Sequence, residues 1–341
     1  MKLKEFQNFM EKEGIDNSIL INYSETPNSN FTYFTQVQDI NSVLLINKDP
    51  ILYVSPIETS IAGQYSKIRN ISSLKKSFLD TLKTQKPKII GIDKDSITIN
   101  QFKHIKSKLK NVKFKDISKE ILKLRLIKTE EEIKLTKKSC SFADSLIEKA
   151  VEFIKKCKTE LEVKTLIEKE IINLNLKQSF PTIIASNINS KNPHHISNNT
   201  KIKGFTIIDL GVKYKNYCSD TTRTVYVGNP NKEEIRIYNK VLESQENSIK
   251  DNLSPKELND NIVKNLGKYF THSLGHGIGI DVHESPSISN LSKDSFKDNI
   301  LFTLEPGYYN KFGIRIEDDF LFKNNKKIQL TKTSKNLQVI R

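Results

Sequence analysis

The sequence has little sulfur and no tryptophan: its 341 residues include two methionines and three cysteines. Cys140, Cys157 and Cys218 are odd in number and stand at no metal-finger spacing, which argues against a disulfide framework and against a zinc finger. Unpaired cysteines are typical of a reducing compartment. We therefore expect a cytoplasmic protein.

Long apolar runs are also absent. The longest, such as Val43–Ile46 and Ile51–Val54, are far too short to span a bilayer. The first ten residues carry acidic and amide side chains where a signal peptide needs an uninterrupted apolar stretch. Hydrophobic residues make up 36% and charged residues 28% of the chain, as in soluble globular proteins. The length allows two domains, and no membrane segment is expected.

The formal net charge of +15 raises the question of nucleic-acid binding. The positive residues are nearly all lysines, scattered singly among acidic residues. They form no basic stripe interleaved with aromatic residues, and the richness in Lys, Asn and Ile is typical of an AT-rich genome. We therefore interpret the charge as a solvated lysine surface and do not expect a nucleic-acid partner.

Residues 1–125 alternate short apolar runs with amphipathic stretches, which predicts an α/β domain. The predicted strands are Ser18–Asn22, Ser42–Asn47, Ile51–Ser55 and Lys88–Asp93. The predicted helices are Leu3–Glu13, Ser73–Thr84 and Thr98–Leu109. No motif with catalytic chemistry occurs here, and His104, on a helix among lysines, is expected at the surface.

A domain boundary is expected near Arg125–Lys128, which leaves residues 126–341 as a second domain. Four helix starts follow it, each with a capping residue and an acidic residue three positions later. These are Thr129–Glu132, Thr159–Glu162, Asn231–Glu234 and Ser254–Glu257. Pro255 stands at the first helical position of the fourth helix, and Gly267 ends it.

The second domain repeats one order of elements. Two capped helices lead to strands that carry Asp209 and Asp220, and two more lead to strands that carry Glu305 and Glu317. This order suggests two halves related by a pseudo-twofold axis.

Phe205–Gly211 and Tyr217–Val227 are predicted to be two strands of a hairpin. If its turn centres on Tyr214 and Lys215, Asp209 lies directly opposite Asp220. Two bare carboxylates about 4.5–5.5 Å apart at Cβ repel each other, so a cation should lie between them. A solvated hairpin face is the alternative, but aspartate is disfavoured in strands and the neighbouring residues are apolar.

The second pair of carboxylates has the same character. Leu301–Glu305 is an apolar strand that ends in a carboxylate, and Gly313–Phe322 places Arg315 and Glu317 on one face. Between the two pairs, His276 stands in a run of glycines that lets the backbone pack closely around the imidazole. Five of the six histidines fall in this domain: His194, His195, His272, His276 and His283.

Two aspartates, two glutamates and one histidine suit Mn²⁺, Co²⁺, Fe²⁺ or Zn²⁺ better than a thiolate site would. Four carboxylates balance the charge of two divalent cations and leave room for a bridging hydroxide. Two ions about 3.5–4 Å apart lower the pKa of that water and stabilise an anionic tetrahedral intermediate.

At these residues, from about Arg125 to Arg341, the sequence resembles the pita-bread metallopeptidases, which include prolidase, aminopeptidase P and methionine aminopeptidase. The motifs are Asp-Leu-Gly, Ser-Asp-Thr-Thr-Arg-Thr, Ser-Leu-Gly-His-Gly-Ile-Gly, Leu-Glu-Pro-Gly and Gly-Ile-Arg-Ile-Glu-Asp, in the family's order. The resemblance implies an α+β pita-bread catalytic domain of duplicated helix–strand halves.

The resemblance also implies the ligands of two divalent metal ions per chain, with Mn²⁺ or Co²⁺ expected ahead of Zn²⁺ or Fe²⁺. Asp209 would bind one ion, His276 and Glu305 the other, and Asp220 and Glu317 would bridge both. Glu305 would also carry the proton from the bridging water to the leaving nitrogen.

Further residues match positions around the substrate of that family. His194 matches a histidine on the substrate side, His283 one that steadies the tetrahedral intermediate, and His272 a further pocket histidine. Arg315 and Tyr309 match residues that form hydrogen bonds around Asp209, and we group Thr222 with them. For each of these residues the alternative is an ordinary core or surface role.

The N-terminal part resembles the creatinase-type domain of prolidases and aminopeptidases P, which methionine aminopeptidases generally lack. Two departures from the family pattern are Gln36 and Asn187, which stand where glycine is expected. The resemblance implies an aminopeptidase that hydrolyses Xaa-Pro bonds in peptides with proline second, and a homodimer. The alternatives are an Xaa-Pro dipeptidase (prolidase) or another aminopeptidase of the same fold. A creatinase-like amidinohydrolase that works without metals and a non-catalytic binding module are further alternatives, but both typically lack the complete ligand set present here.

Overall fold

The strands of the first 125 residues and those of the remaining chain belong to different sheets. The computed structural model describes residues 2–75, 77–250 and 253–341. The chain divides into two units, Met1–Arg125 and Leu126–Arg341. None of the helices within the described ranges is both long and apolar enough to cross a membrane.

The first unit is a six-stranded mixed sheet with helices. Its strands, β1 to β6, are Asn17–Asn22, Ser42–Ile46, Ile51–Val54, Ile71–Ser73, Ile89–Ile92 and Lys113–Asp116. Its helices, α1 to α6, are Leu3–Lys12, Ser29–Thr35, Thr59–Tyr65, Phe78–Gln85, Ile99–Lys108 and Ser118–Leu126. The strand order is β4-β3-β2-β1-β5-β6, with β2 antiparallel to both of its neighbours and the other pairs parallel.

All four predicted strands of this unit are present, as are the helices near residues 3–12 and 99–108. The helix predicted over Ser73–Thr84 begins later, at Phe78, because residues 71–73 form a strand and Ser77 caps the helix by accepting from the Leu79 amide. Lys76, inside that prediction, lies outside the described residues. Helix α2 was not predicted, because residues 30–35 are all buried and the segment therefore lacks an amphipathic pattern.

The two positions where glycine was expected both have a positive backbone φ angle. Gln36 has a φ of 66° and Asn187 a φ of 54°. This left-handed region favours glycine and is tolerated by asparagine. Both residues therefore adopt a backbone conformation in which glycine is favoured.

The helices of the second unit begin where the capping residues predicted. Thr129, Thr159 and Ser254 each accept a backbone hydrogen bond in a complete capping box. Asn231 Oδ1 accepts from the Glu233 and Glu234 amides. The helices α7 to α10 are Glu130–Ile154, Glu160–Asn173, Lys232–Lys250 and Pro255–Leu266.

The strands of the second unit form four sheets. Strands β7 to β13 are Lys177–Gln178, Ile183–Ser186, Gly204–Leu210, Val212–Tyr214, Tyr217–Cys218, Thr221–Val227 and Gly275–Gly277. Strands β14 to β20 are Glu284–Ile288, Ile300–Leu304, Gly307–Tyr309, Gly313–Arg315, Asp318–Lys323, Lys326–Gln329 and Val339–Ile340. The two larger sheets have the orders β20-β12-β9-β8 and β14-β13-β15-β18-β19; β11-β10-β7 and β16-β17 form the smaller ones.

Each large sheet packs against two of the helices. Residues of α7 and α8, such as Ile147 and Ile167, form a core with Ile208 of β9. Residues of α9 and α10, including Val241 and Ile262, form a second core, with β15 and β18. The order of two helices followed by a sheet is therefore repeated.

The predicted pairing of Asp209 with Asp220 is wrong. Thr222 lies opposite Asp209 in the β9–β12 ladder. The turn is centred on Lys215 and Asn216, with φ values of 48° and 71°, rather than on Tyr214 and Lys215. Moving the turn centre by one residue moves the residue opposite Asp209 by two, from Asp220 to Thr222. Asp220 itself lies between β11 and β12, diagonal to Asp209.

Candidate metal centre

Acidic and imidazole side chains converge from the strands of both large sheets. Three groups have ligand atoms within 4.8 Å of one another: Asp209 with Asp220 and Glu317; His276 with Glu305 and Glu317; and Asp220 with His276 and His283. The structure therefore brings together all five residues that the sequence suggested as ligands, with His283 beside them.

Strand ends and irregularities place these side chains. Glu305 directly follows β15, and Asp220 and Glu317 each stand in a gap between two strands. The Glu317 amide donates to the Thr222 carbonyl at 3.1 Å, and these two residues form an isolated bridge. That bridge joins the first carboxylate pair to the second.

The carboxylates repel one another in a buried setting. Burial, reinforced by the charge of Asp209, raises the pKa of Glu317 to about 7. Burial and the charge of Glu317 raise the pKa values of Asp220 and Glu305 well above their ordinary range. Buried like charges are costly without a compensating cation, so this group fits divalent ions.

His276 presents one ring nitrogen to the carboxylates. Its Nδ1 lies 3.0 Å from the Gly277 carbonyl oxygen, which can only accept, so Nδ1 carries the hydrogen and Nε2 keeps its lone pair. Nε2 lies 3.6 Å from Asp220 Oδ2 and 3.7 Å from Glu305 Oε1. Burial, followed by the charge of His283, lowers the pKa of His276 to about 4, so the ring is neutral and able to bind a metal.

The glycines beside His276 are required by close packing. A Cβ atom on Gly275 would lie 2.1 Å from the Thr303 carbonyl oxygen, and one on Gly277 would lie 2.1 Å from the Ser285 carbonyl oxygen. The strand that carries His276 can therefore pack between its neighbours only with glycine at these positions.

Arg315 organises the other side of the centre. Its Nη2 lies 2.5 Å from Asp209 Oδ2, its Nε donates to Thr222 Oγ1 at 3.1 Å, and Nη1 donates to Tyr309 Oη at 3.3 Å. Thr222 in turn donates to Glu317 Oε2 at 2.7 Å. Within the described part of the chain, the buried Asp209 Oδ1 has no hydrogen-bond partner. One oxygen of Asp209 is thus held by arginine and the other is available to a cation.

A cavity of about 700 Å³ opens on the centre, and His194, His272 and His283 line it. His272 Nε2 lies 2.9 Å from Tyr309 Oη. The His283 ring stands edge-on to His276, with centroids 4.2 Å apart. Burial and the nearby charge of His194 lower the pKa of His283. The predicted substrate-side histidines therefore share one cavity with the carboxylates.

Cys218 lies outside the ligand groups. Its Sγ donates to the Ile280 carbonyl at 3.3 Å, and burial raises its pKa to about 12. A protonated thiol is a poor metal ligand.

Two neighbours of the centre were missed from the sequence. Asp319 Oδ2 accepts from the Asp220 amide at 3.0 Å and from Cys140 Sγ at 3.2 Å, so it fixes the backbone of a candidate ligand. The sequence feature that could have indicated Asp319 is a second carboxylate, after Asp318, at the start of the apolar strand that follows Glu317. The other is His195, which was counted among the domain's histidines but given no role.

Comparison with known proteins agrees with this geometry. The model of metallopeptidase family M24 matches residues 134–324, and that of the creatinase/prolidase N-terminal domain matches residues 2–127. The Xaa-Pro dipeptidase of Pyrococcus horikoshii is 35% identical over 98% of both chains.

Solved structures give the same result. The X-Pro aminopeptidase of Thermotoga maritima superposes with a TM-score of 0.90 at 30% identity, over 97% of this chain and 100% of that one. The prolidase of Pyrococcus horikoshii has a TM-score of 0.88 at 33% identity, over 98% and 99% of the two chains. The predicted fold class and the prediction of a metal-dependent hydrolase are confirmed. The chain belongs to metallopeptidase family M24 and carries a creatinase/prolidase N-terminal domain.

Proposed function

We propose that the protein hydrolyses the peptide bond before a proline, at the site in Leu126–Arg341. The observation that carries this proposal is the convergence of three buried carboxylates, the half-buried Glu305 and the neutral His276 on one cavity. The relatives named as an Xaa-Pro dipeptidase and an X-Pro aminopeptidase support the choice of proline-containing substrates.

Family M24 implies a dinuclear metal centre, and the residues present fit one. Asp209 would hold one ion through its free Oδ1, and His276 Nε2 and Glu305 would hold the other. Asp220 and Glu317 would bridge both. When bound, two such ions activate a water and stabilise negative charge on the substrate carbonyl oxygen. We propose Mn²⁺ or Co²⁺ first, and Zn²⁺ or Fe²⁺ as alternatives.

Glu305 is proposed to move the proton. Its carboxylate faces the cavity and lies within reach of His276 and His272, at 3.7 and 3.8 Å. It would accept a proton from the attacking water and pass it to the leaving proline nitrogen. That transfer is demanding for proline, because its amide nitrogen carries no hydrogen and the departing amine must be protonated as the bond breaks.

His194 and His283 are proposed to hold the substrate. Both line the cavity beside the carboxylates. A neutral imidazole offers one N–H donor and one acceptor, and burial lowers the pKa of His283 and so favours that neutral form. Donation from His283 to the developing oxyanion, and from His194 to the peptide, would orient the scissile bond.

The length of the peptide substrate distinguishes an Xaa-Pro aminopeptidase from an Xaa-Pro dipeptidase (prolidase). The sequence predicts an aminopeptidase, whereas the similarity to a dipeptidase of Pyrococcus horikoshii favours a prolidase. Ala-Pro and Ala-Pro-Ala, assayed with each of the four cations, distinguish them. An aminopeptidase cleaves the tripeptide, and a dipeptidase cleaves only the dipeptide. Ala-Ala and Ala-Ala-Ala are the matched controls, and equal turnover of these controls would contradict specificity for proline.

A further inference from the structure

Glu160 is a fully buried carboxylate outside the candidate metal centre. It is the first residue of α8, between Thr159 and Glu162, which form the capping box of that helix. A charged side chain at the first turn of a helix is ordinarily solvated. The Glu160 side chain is instead 0% exposed, so its partners must lie within the protein.

Those partners belong to one loop. Oε1 of Glu160 accepts from the Ser186 amide at 2.7 Å and from Asn189 Nδ2 at 3.0 Å. Oε2 accepts from the Asn198 amide at 3.2 Å and lies 2.7 Å from His195 Nε2. Because the carboxylate accepts all the other contacts, His195 Nε2 carries the hydrogen of this pair. A single carboxylate therefore joins both ends of the segment 186–198.

The segment that Glu160 closes forms one wall of the cavity. Pro193, His194 and Ile196 all line it, and Arg315 Nη1 donates to the Pro193 carbonyl at 3.4 Å. His194 is exposed, while its neighbour His195 turns inward with a side-chain exposure of 10%. Both histidines line the cavity, but only His195 is held by the buried carboxylate.

We propose that Glu160 and His195 are positioning residues that hold His194 at the substrate. This inference rests on the proposed function, in which His194 contacts the peptide. Surface loops are the mobile parts of a fold, and a misplacement of about 1 Å near a reacting group can cost about 10²-fold in rate. The buried hydrogen bond between His195 and Glu160 restricts the loop.

The test is a double-mutant cycle measured as kcat/KM on Ala-Pro and Ala-Pro-Ala. His195→Phe keeps a ring but removes the donated hydrogen, and we expect a loss of about 10- to 100-fold. His195→Gln restores an N–H donor and should recover most of that loss. In the His194→Ala background, His195→Phe should have little further effect, because the two residues act as a unit.

Glu162→Gln is the matched control. Glu162 is a carboxylate of the same helical turn, but it accepts from the Lys158 and Thr159 amides and not from the loop. This change should leave kcat/KM and metal content unaltered. Glu160→Gln, which retains side-chain volume but loses an acceptor, serves as a second variant if His195→Phe does not fold.

Equal losses of kcat/KM from His195→Phe in the wild-type and His194→Ala backgrounds would overturn the inference. Unchanged kcat/KM in both His195→Phe and Glu160→Gln would also overturn it. Wild-type hydrolysis of Ala-Pro is measured first, so failure of the proposed function is recognised separately. Hydrogen exchange of residues 187–198 answers the positioning question without turnover. We expect faster exchange there in His195→Phe, and no change in that segment would refute the positioning role.

Discussion

Arg315 and Asp209 form a buried ion pair, with Nη2 2.5 Å from Oδ2 and exposures of 4% and 5%. The same guanidinium donates to Thr222, which donates to Glu317. A single arginine therefore orients two of the proposed metal ligands. Partners of this kind fix the direction of a ligand's lone pairs before the ion arrives.

We expect Arg315→Met to lower metal affinity and turnover by about 10–100-fold, the usual cost of losing a partner of a metal ligand. Arg315→Lys keeps the charge but lacks the planar fork, and should recover only part of the loss. Calorimetric titration with Mn²⁺ and kcat/KM on Ala-Pro measure the two effects.

Arg236→Met is the control for this prediction. Arg236 forms an ion pair with Glu233 on α9, and both side chains are exposed. Exposed pairs of this kind contribute little to the free energy of unfolding. Native metal affinity and turnover in Arg315→Met would show that Asp209 needs no help from the arginine.

Removal of metal should abolish hydrolysis, and Mn²⁺ or Co²⁺ should restore it, because all five proposed ligands are hard or borderline donors. The cations should also stabilise the fold. A ligand present at 100 times its Kd adds about 2.7 kcal/mol to the free energy of unfolding. Thermal unfolding with and without added metal measures this stabilisation. Full activity in exhaustively demetallated protein would contradict the metal-dependent mechanism.

The candidate metal centre could be predicted from sequence because its proposed ligands stand in local patterns that are unusual for strands. Asp209 interrupts an apolar strand and Glu305 ends one. Helix starts were equally local, because Thr129 and Ser254 cap their helices through contacts only three residues apart. These patterns need no knowledge of tertiary structure.

Features that depend on distant contacts, or on the exact position of one turn, could not be predicted from the sequence. The register of Asp209 was wrong by two residues because the turn centre was displaced by one, to Lys215 and Asn216. The contact of Glu160 with His195 spans 35 positions in the sequence, and no local pattern indicates it. Capping chemistry predicted that Glu160 starts a helix but not that its carboxylate turns inward.

Cys218→Ser should retain two metal ions per chain and native turnover. Cys218 lies two residues before Asp220, yet its Sγ donates to Ile280, and its raised pKa of about 12 keeps it protonated. A serine hydroxyl can donate the same hydrogen bond, although the shorter C–O bond leaves the contact looser. Metal analysis of the purified variant is the measurement, and loss of one ion would make Cys218 a ligand.

The last prediction separates catalysis from metal binding and concerns Glu305. General acid–base groups typically contribute about 10²–10⁴-fold to rate, so Glu305→Gln should lower kcat by at least about 10²-fold. The amide still offers an oxygen, so binding of the second ion should weaken without vanishing. Substrate affinity should change far less than rate, because the proton is moved only as the bond breaks.

Asp220→Asn provides the contrast, because Asp220 belongs to two of the three ligand groups. Losing this carboxylate charge should dismantle the centre itself, so metal content and turnover fall together. Metal content, inhibitor affinity and kcat measured on both variants distinguish the two outcomes. If Glu305→Gln holds both ions and keeps near-native kcat, Glu305 does not carry the proton. The acid–base role must then pass to another group lining the cavity, such as His283.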